Sequence, residues 1–211
     1  MKNGLLISCL FAIASLYSLP SLGQAERYIA GTHYQLIEPA VRTVDADKIE
    51  VLEIFWYGCP ACYAFEPILN AWIDARADDV AFVHFPGIFN PMMKVHAQIY
   101  YMSQALGVLD QTHGRVFDAL VPQRKTLRTE QQIVELFADF GLDRVEVQKT
   151  FNSFAVRTKT NQAEKLTRDY KPTGTPSMVV NGKYLVSTAG PVNSQQEMLR
   201  VVDFLVEKER N

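Results

Sequence analysis

Ile49-Glu50-Val51-Leu52-Glu53-Ile54-Phe55-Trp56 runs through Tyr57-Gly58 into Cys59-Pro60-Ala61-Cys62, and it carries the clearest structural signal in the chain. Its first eight residues are β-branched, aromatic and almost continuously apolar, as expected of a strand buried on both faces. Gly58 breaks the run. Pro60 then suits the first position of a helix, where its missing N–H costs nothing. From there Cys62, Phe65, Leu69 and Trp72 or Ile73 fall along one helical stripe, which predicts a helix from Pro60 to about Ala75. Val80 to Phe85 alternates into a second strand. Strand, helix and strand at this spacing read as a βαβ unit.

Downstream, from Asn90 to Tyr170, the pattern turns helical. Asn90-Pro91 opens a helix that stops at Gly107, and Thr129 with Gln132 forms a capping box for one ending at Gly141. Asp143 with Glu146 predicts another capping box, and further helices are expected around Thr112–Leu120 and Ser153–Tyr170. Met92, Met93, Tyr100 and Tyr101 lie at helical spacing and are assigned to core. Strands return after Pro176. Met178-Val179-Val180, Asn181-Gly182 and Lys183-Tyr184-Leu185-Val186 carry the signal of a hairpin with a type I′ turn. Ser194 with Glu197 predicts a capping box for a last helix to about Lys208. There is no internal repeat and no linker-like run. The order βαβ, a block of helices, ββα therefore predicts one α/β domain with a helical insertion, divided as 26–89, 90–170 and 171–211.

Upstream, residues 1–25 hold one charge, Lys2, then the apolar run Leu5 to Leu19, then Pro20 and small residues around Gly23-Gln24-Ala25. These are the parts of a secretory signal peptide, and the run is shorter than the ~20 residues a spanning helix requires. Cleavage is expected after Gly23 or Ala25, which discards Cys9; an uncleaved anchor or a buried N-terminal helix is the alternative.

Composition agrees with a globular exported domain. The chain has 211 residues, 48% apolar and 21% charged, with 11 Gly, 10 Pro and three Cys, too apolar for disorder and too poor in Cys for a disulfide-stapled scaffold. A formal charge of −2 gives no electrostatic footprint for nucleic acid or an anionic membrane. Without the leader, which carries one Lys and no acid, the charge from residue 26 onward is −3.

Two cysteines then remain, Cys59 and Cys62, in an export context where disulfides form. So small a loop contributes little unfolded-state entropy, so the pair is a poor staple. It makes more sense as chemistry. A thiolate, not a thiol, attacks a disulfide. A helix N-terminus offers Cys59 unpaired N–H groups and the positive end of the helix dipole. Cys62, one turn in, could attack a mixed disulfide formed at Cys59. Cys59 is thus the candidate nucleophile and Cys62 the candidate resolving thiol. The pair could instead be half of a zinc site, but no second Cys pair exists and His33, His84, His96 and His113 show no ligand spacing, so no metal is expected.

Val51-Leu52-Glu53-Ile54-Phe55 leading into Cys59-Pro60-Ala61-Cys62, with Thr173-Gly174-Thr175-Pro176 ahead of Met178-Val179-Val180-Asn181-Gly182, resembles the DsbA family of periplasmic thiol:disulfide oxidases. The resemblance covers essentially the whole chain after the leader. It implies a thioredoxin-like fold and a monomer in the periplasm, with no cofactor beyond the redox-active Cys59–Cys62 disulfide. It also implies donation of that disulfide to unfolded exported proteins with free cysteines, and reoxidation by a quinone-linked membrane partner of the DsbB type. Pro60 and Ala61 are then the active-site loop, and Thr175-Pro176 matches the family's cis-proline loop. Pro176 has no N–H to donate, and Thr175 could offer its backbone to an extended peptide.

Glu53 matches the acid that the family buries beneath the resolving cysteine. It shares a strand face with Ile49, Val51 and Phe55, so burial fits the pattern, and a buried carboxyl with a raised pKa could exchange the proton of Cys62. A carboxylate satisfied by a local hydrogen bond is the alternative. Ala61 departs from the family's best-known site, which has His there; losing that cation predicts a weaker oxidant. The basic side chain that the family commonly sets near the buried acid has one candidate in the second strand, His84. His84, His96 and His113 are otherwise read as structural, while Trp56, Tyr57 and Tyr63 could be either core or an apolar landing surface. A reductase or isomerase on the same fold, and a non-catalytic holdase with an incidental C-x-x-C, are the competing functions.

Overall fold

The apolar run becomes strand β2 (Ile49–Phe55), preceded by a short strand β1 (Gln35–Leu36), in a computed structural model that describes residues 27–211. The expected signal peptide, its cleavage point and Cys9 lie outside the described residues. After β2 come helix α1 (Pro60–Ala75), strand β3 (Val80–Pro86) and helices α2 (Pro91–Ala105), α3 (Leu109–Leu120), α4 (Glu130–Asp139), α5 (Arg144–Phe151) and α6 (Phe154–Tyr170). Strands β4 (Ser177–Val180) and β5 (Tyr184–Ser187) and helix α7 (Gln195–Arg210) close the chain.

The sheet order is β1-β5-β4-β2-β3. β2 runs parallel to β3, as a βαβ unit requires, and antiparallel to β4. Both neighbours and both faces of β2 are covered, which is why its sequence is nearly continuously apolar. Val51 packs on one face with Phe65 and Leu69 of α1 and with Met198, Val202 and Leu205 of α7. Leu52 and Ile54 point to the other face, among Ala97 of α2 and Ala163 and Tyr170 of α6. The inserted helices enclose a core of their own, with Ile99, Met102, Val116, Phe117, Ile133 and Phe137, and Phe55, Tyr57, Cys59 and Cys62 pack into it. The cysteine pair therefore sits where the insertion meets the sheet.

Helix ends follow local chemistry. Asn90 caps α2 through a 3.0 Å bond from the Met93 N–H, and the reciprocal capping box at Thr129 and Gln132 opens α4. At Asp143 and Ser194 the cap side chain accepts from the third backbone N–H, of Glu146 and Glu197 respectively. Glu197 turns its carboxylate to the Tyr28 hydroxyl and Arg200 instead of closing the expected box. α3 starts at Leu109, ahead of the expected Thr112. Thr112 is no cap: its hydroxyl donates back to the Val108 carbonyl at 2.9 Å, one turn earlier inside the helix.

β1 was not predicted, because two exposed residues, Gln35 and Leu36, show no alternation. It exists because β5 offers a free edge, pairing Gln35 with Leu185 and Leu36 with Tyr184. The hairpin between β4 and β5 has Asn181 at φ 49° and Gly182 at φ 64°, the type I′ pattern. Gly182 is doubly constrained, since a side chain there would also run into the Val41 carbonyl, whose residue docks by donating its N–H to the Gly182 carbonyl at 2.9 Å. Among the described residues no helix is long and apolar enough to cross a membrane.

A candidate redox site at the first helix

Cys59 is the N-cap of α1, with extended backbone at φ −93° and ψ 113°, and Pro60 takes the first helical position. Both cysteines are free thiols. The Cys62 N–H donates to Cys59 Sγ at 3.3 Å, so the sulfur does for this helix what a serine or aspartate oxygen does at other caps. The Cys62 thiol hydrogen-bonded to it, helped by Thr175 and the backbone N–H groups of Cys62 and Ala61, pushes Cys59 down to about 6 against the opposing effect of burial. Cys62 is fully buried. Burial, its hydrogen bond to Cys59 and the charge of Glu53 drive its thiol far up. The pair is thus split into one sulfur that ionises readily and one that holds its proton.

Between them, Pro60 and Ala61 are exposed, and the Ala61 carbonyl accepts from Gln195 Nε2 at 2.7 Å, which ties the loop to the start of α7. The Thr175-Pro176 peptide bond is cis, as the resemblance implied. Thr175 faces Cys59 directly, the Cys59 thiol donating to its carbonyl at 3.4 Å. Pro176 is buried beside it, and Ser177 pins the loop by donating to the Gly174 carbonyl at 2.9 Å. A second cis bond lies at Glu38-Pro39, between β1 and β2.

Glu53 is fully buried in β2. Its Oε2 lies 3.0 Å from His84 Nδ1, while Oε1 has no hydrogen-bond partner. Burial pushes the carboxyl up to about 7, although the His84 bond pulls the other way. The parallel β2–β3 register sets Glu53 beside His84, so His84 points into the site and is the basic side chain near the acid. The sequence of β3 does not say which way His84 points; the pairing register with β2 does. His113 of α3 joins the same cluster, its ring 4.7 Å from that of His84 and its Nδ1 2.8 Å from the Tyr57 hydroxyl. No sequence signal could have linked residues of β3 and α3. His96, by contrast, is structural: it takes the Trp56 indole N–H at Nδ1 (2.8 Å) and sits 3.3 Å from the Thr126 carbonyl at Nε2. Tyr57 is buried core, and Tyr63 is turned to Asp118 at 2.9 Å.

Residues 83–200 match the family model of the DSBA-like thioredoxin domain. The thiol:disulfide interchange protein DsbA of Pseudomonas aeruginosa is 39% identical over 210 residues, covering 100% of this chain and 98% of that protein. The DsbA of Azotobacter vinelandii is 38% identical, covering 98% of each. Among solved structures, the Pseudomonas aeruginosa DsbA crystal structure superposes with a TM-score of 0.83 at 39% identity, over 88% of this chain and 96% of that one. The oxidoreductase DsbA of Xylella fastidiosa gives 0.81 at 30% identity, over 87% and 98%. The fold is the thioredoxin-like fold with helical insertion that those structures share.

Proposed function

The chain belongs to the DsbA family and is a thiol:disulfide oxidoreductase, and we propose that Cys59 and Cys62 form the disulfide it donates to newly exported proteins. The observation that carries the assignment is the cap geometry at Cys59. The same contacts that lower its thiol stabilise the reduced form as a thiolate, which makes the disulfide a good electron acceptor.

A substrate thiolate attacks Cys59 Sγ, the Cys59–Cys62 bond breaks, and Cys62 leaves with the electron pair. Because Cys62 is so unfavourable as a thiolate, a proton must reach it as the bond breaks. Glu53, buried and poised at about 7, is the proton donor that its surroundings support, and His84 orients it. A second substrate thiolate then attacks the substrate sulfur of the mixed disulfide and releases Cys59 as a thiolate. The substrate gains a disulfide and the protein takes up two electrons. Thr175 supplies main-chain hydrogen bonding to the extended substrate beside Cys59, with Pro176 closing the loop beneath it. Since the two sulfurs hold the electrons, the reaction needs no resident cofactor.

The setting follows from the leader and the chemistry. Residues 1–25 direct export to the periplasm and are removed; the substrates are unfolded exported proteins with free cysteines. A quinone-linked membrane protein of the DsbB type reoxidises the pair, and the protein works as a monomer. The test is to equilibrate the pair with glutathione mixtures and to follow oxidation of a reduced, unfolded cysteine-containing protein. A potential above about −200 mV, with oxidation abolished in Cys59→Ser, supports the oxidase. A potential near that of cytosolic reductants would point to a reductase, and an unaffected Cys59→Ser variant to binding alone.

A further inference from the structure

Behind Glu53 three side chains from three elements converge: Glu66 from α1, His84 from β3 and His113 from α3. One carboxylate oxygen and one nitrogen of each imidazole lie within 4.8 Å of one another. We propose that Glu66, His84 and His113 form a site for a single divalent transition-metal ion of the zinc class.

Two atoms of the cluster are buried without a hydrogen-bond partner, His113 Nε2 and Glu66 Oε1, and they face each other at 3.6 Å. Buried polar atoms are rarely left unpaired. At 3.6 Å the two are too far apart for a hydrogen bond. They are close to the roughly 3.4 Å that separates two ligands on a tetrahedral ion with bonds of about 2.1 Å. An ion between them satisfies both.

The remaining ring nitrogens are arranged as outer partners of metal-bound histidines are. His84 Nδ1 is held by the Glu53 carboxylate at 3.0 Å, and His113 Nδ1 by the Tyr57 hydroxyl at 2.8 Å. Each leaves Nε2 to the ion, and a carboxylate or hydroxyl on the far nitrogen fixes ring orientation. Two imidazoles and one carboxylate select zinc, cobalt or copper over magnesium or calcium. Side-chain exposures of 14% for Glu66, 11% for His113 and 21% for His84 set the cluster near the surface and not deep in the core. The cysteine pair is not among the ligands. The three ligands lie far apart in sequence, which is why no metal spacing was legible there.

The test uses the Cys59–Cys62 disulfide form, in which those thiols cannot compete, titrated with Co²⁺ alone and read by its visible absorption. One saturable equivalent with a four- or five-coordinate nitrogen and oxygen spectrum is expected, displaced by Zn²⁺. Glu66→Gln and His113→Gln should each weaken binding by at least about tenfold, and Tyr57→Phe, which removes an outer partner, by about tenfold. In the unsubstituted protein Zn²⁺ should shift the imidazole NMR signals of His84 and His113 and leave that of His96 in place. Absence of a saturable cobalt spectrum, or zinc-induced shifts confined to His33, overturns the site. So does a spectrum that survives both Glu66→Gln and His113→Gln in folded protein.

Discussion

His84 Nδ1 lies 3.0 Å from Glu53 Oε2, and the two residues are register partners in the parallel pair of β2 and β3. One hydrogen bond thus holds a carboxyl that the sheet buries completely, and it satisfies only one of that carboxyl's oxygens. Burial outweighs the histidine, so the group prefers its proton near neutral pH.

That preference makes a stability prediction. The folded pKa of Glu53, about 7, is raised above its ordinary 4.5, so the group favours the fold most below 4.5 and loses that contribution as pH rises through 7. Relative to a Glu53→Gln variant, the unfolding free energy of the natural protein should fall by about 3 kcal/mol between about pH 4 and pH 8. Paired denaturant titrations across that range measure it. A difference that is flat or grows with pH contradicts a buried, raised carboxyl.

Cys59 works in the opposite direction. In the reduced protein its folded pKa of about 6 is below the ordinary 9.0, so its contribution is fully present above 9 and is lost as pH falls through 6. Ultraviolet thiolate absorbance should titrate with a midpoint near 6. The reduced protein should gain on the order of 4 kcal/mol over reduced Cys59→Ser between about pH 5 and pH 10. A midpoint at 8 or above would remove the basis for a nucleophilic Cys59.

Ala61 contributes no charge beside that thiolate, and its carbonyl is occupied by Gln195. Ala61→His adds a cation that favours the thiolate and therefore the reduced protein. Each pKa unit by which Cys59 falls further raises the potential by roughly 30 mV. Glutathione equilibration of the two proteins at neutral pH should place the variant about 30–60 mV higher. An equal or lower potential would show that the helix terminus alone sets the poise.

Ser177 is the hinge pin of the cis-proline loop. Its hydroxyl is fully buried and bonds the Gly174 carbonyl at 2.9 Å and the Ser187 hydroxyl at 2.8 Å. Ser177→Ala should cost about 1–2 kcal/mol of stability by chemical denaturation, because it strips a partner from the half-buried Gly174 carbonyl and from the Ser187 hydroxyl. A neutral substitution would mean that Pro176 and the strand ladder hold the loop unaided.

The features legible along the chain are those written in neighbouring residues. The apolar run of β2, Pro60 at the start of α1, the Thr129 capping box and the Asn181-Gly182 turn each encode their structure within a few positions. So does the placement of Cys59 at a helix N-terminus. Relations between distant segments were decided only in three dimensions. β1 exists because β5 has an open edge, and its two residues carry no pattern of their own. His84 faces Glu53 because the parallel register aligns them, and His113 and Glu66 reach the same place because α3 and α1 pack there. Local propensity acts over one or two turns of chain, whereas a buried polar cluster is assembled by packing, which no spacing along the sequence records.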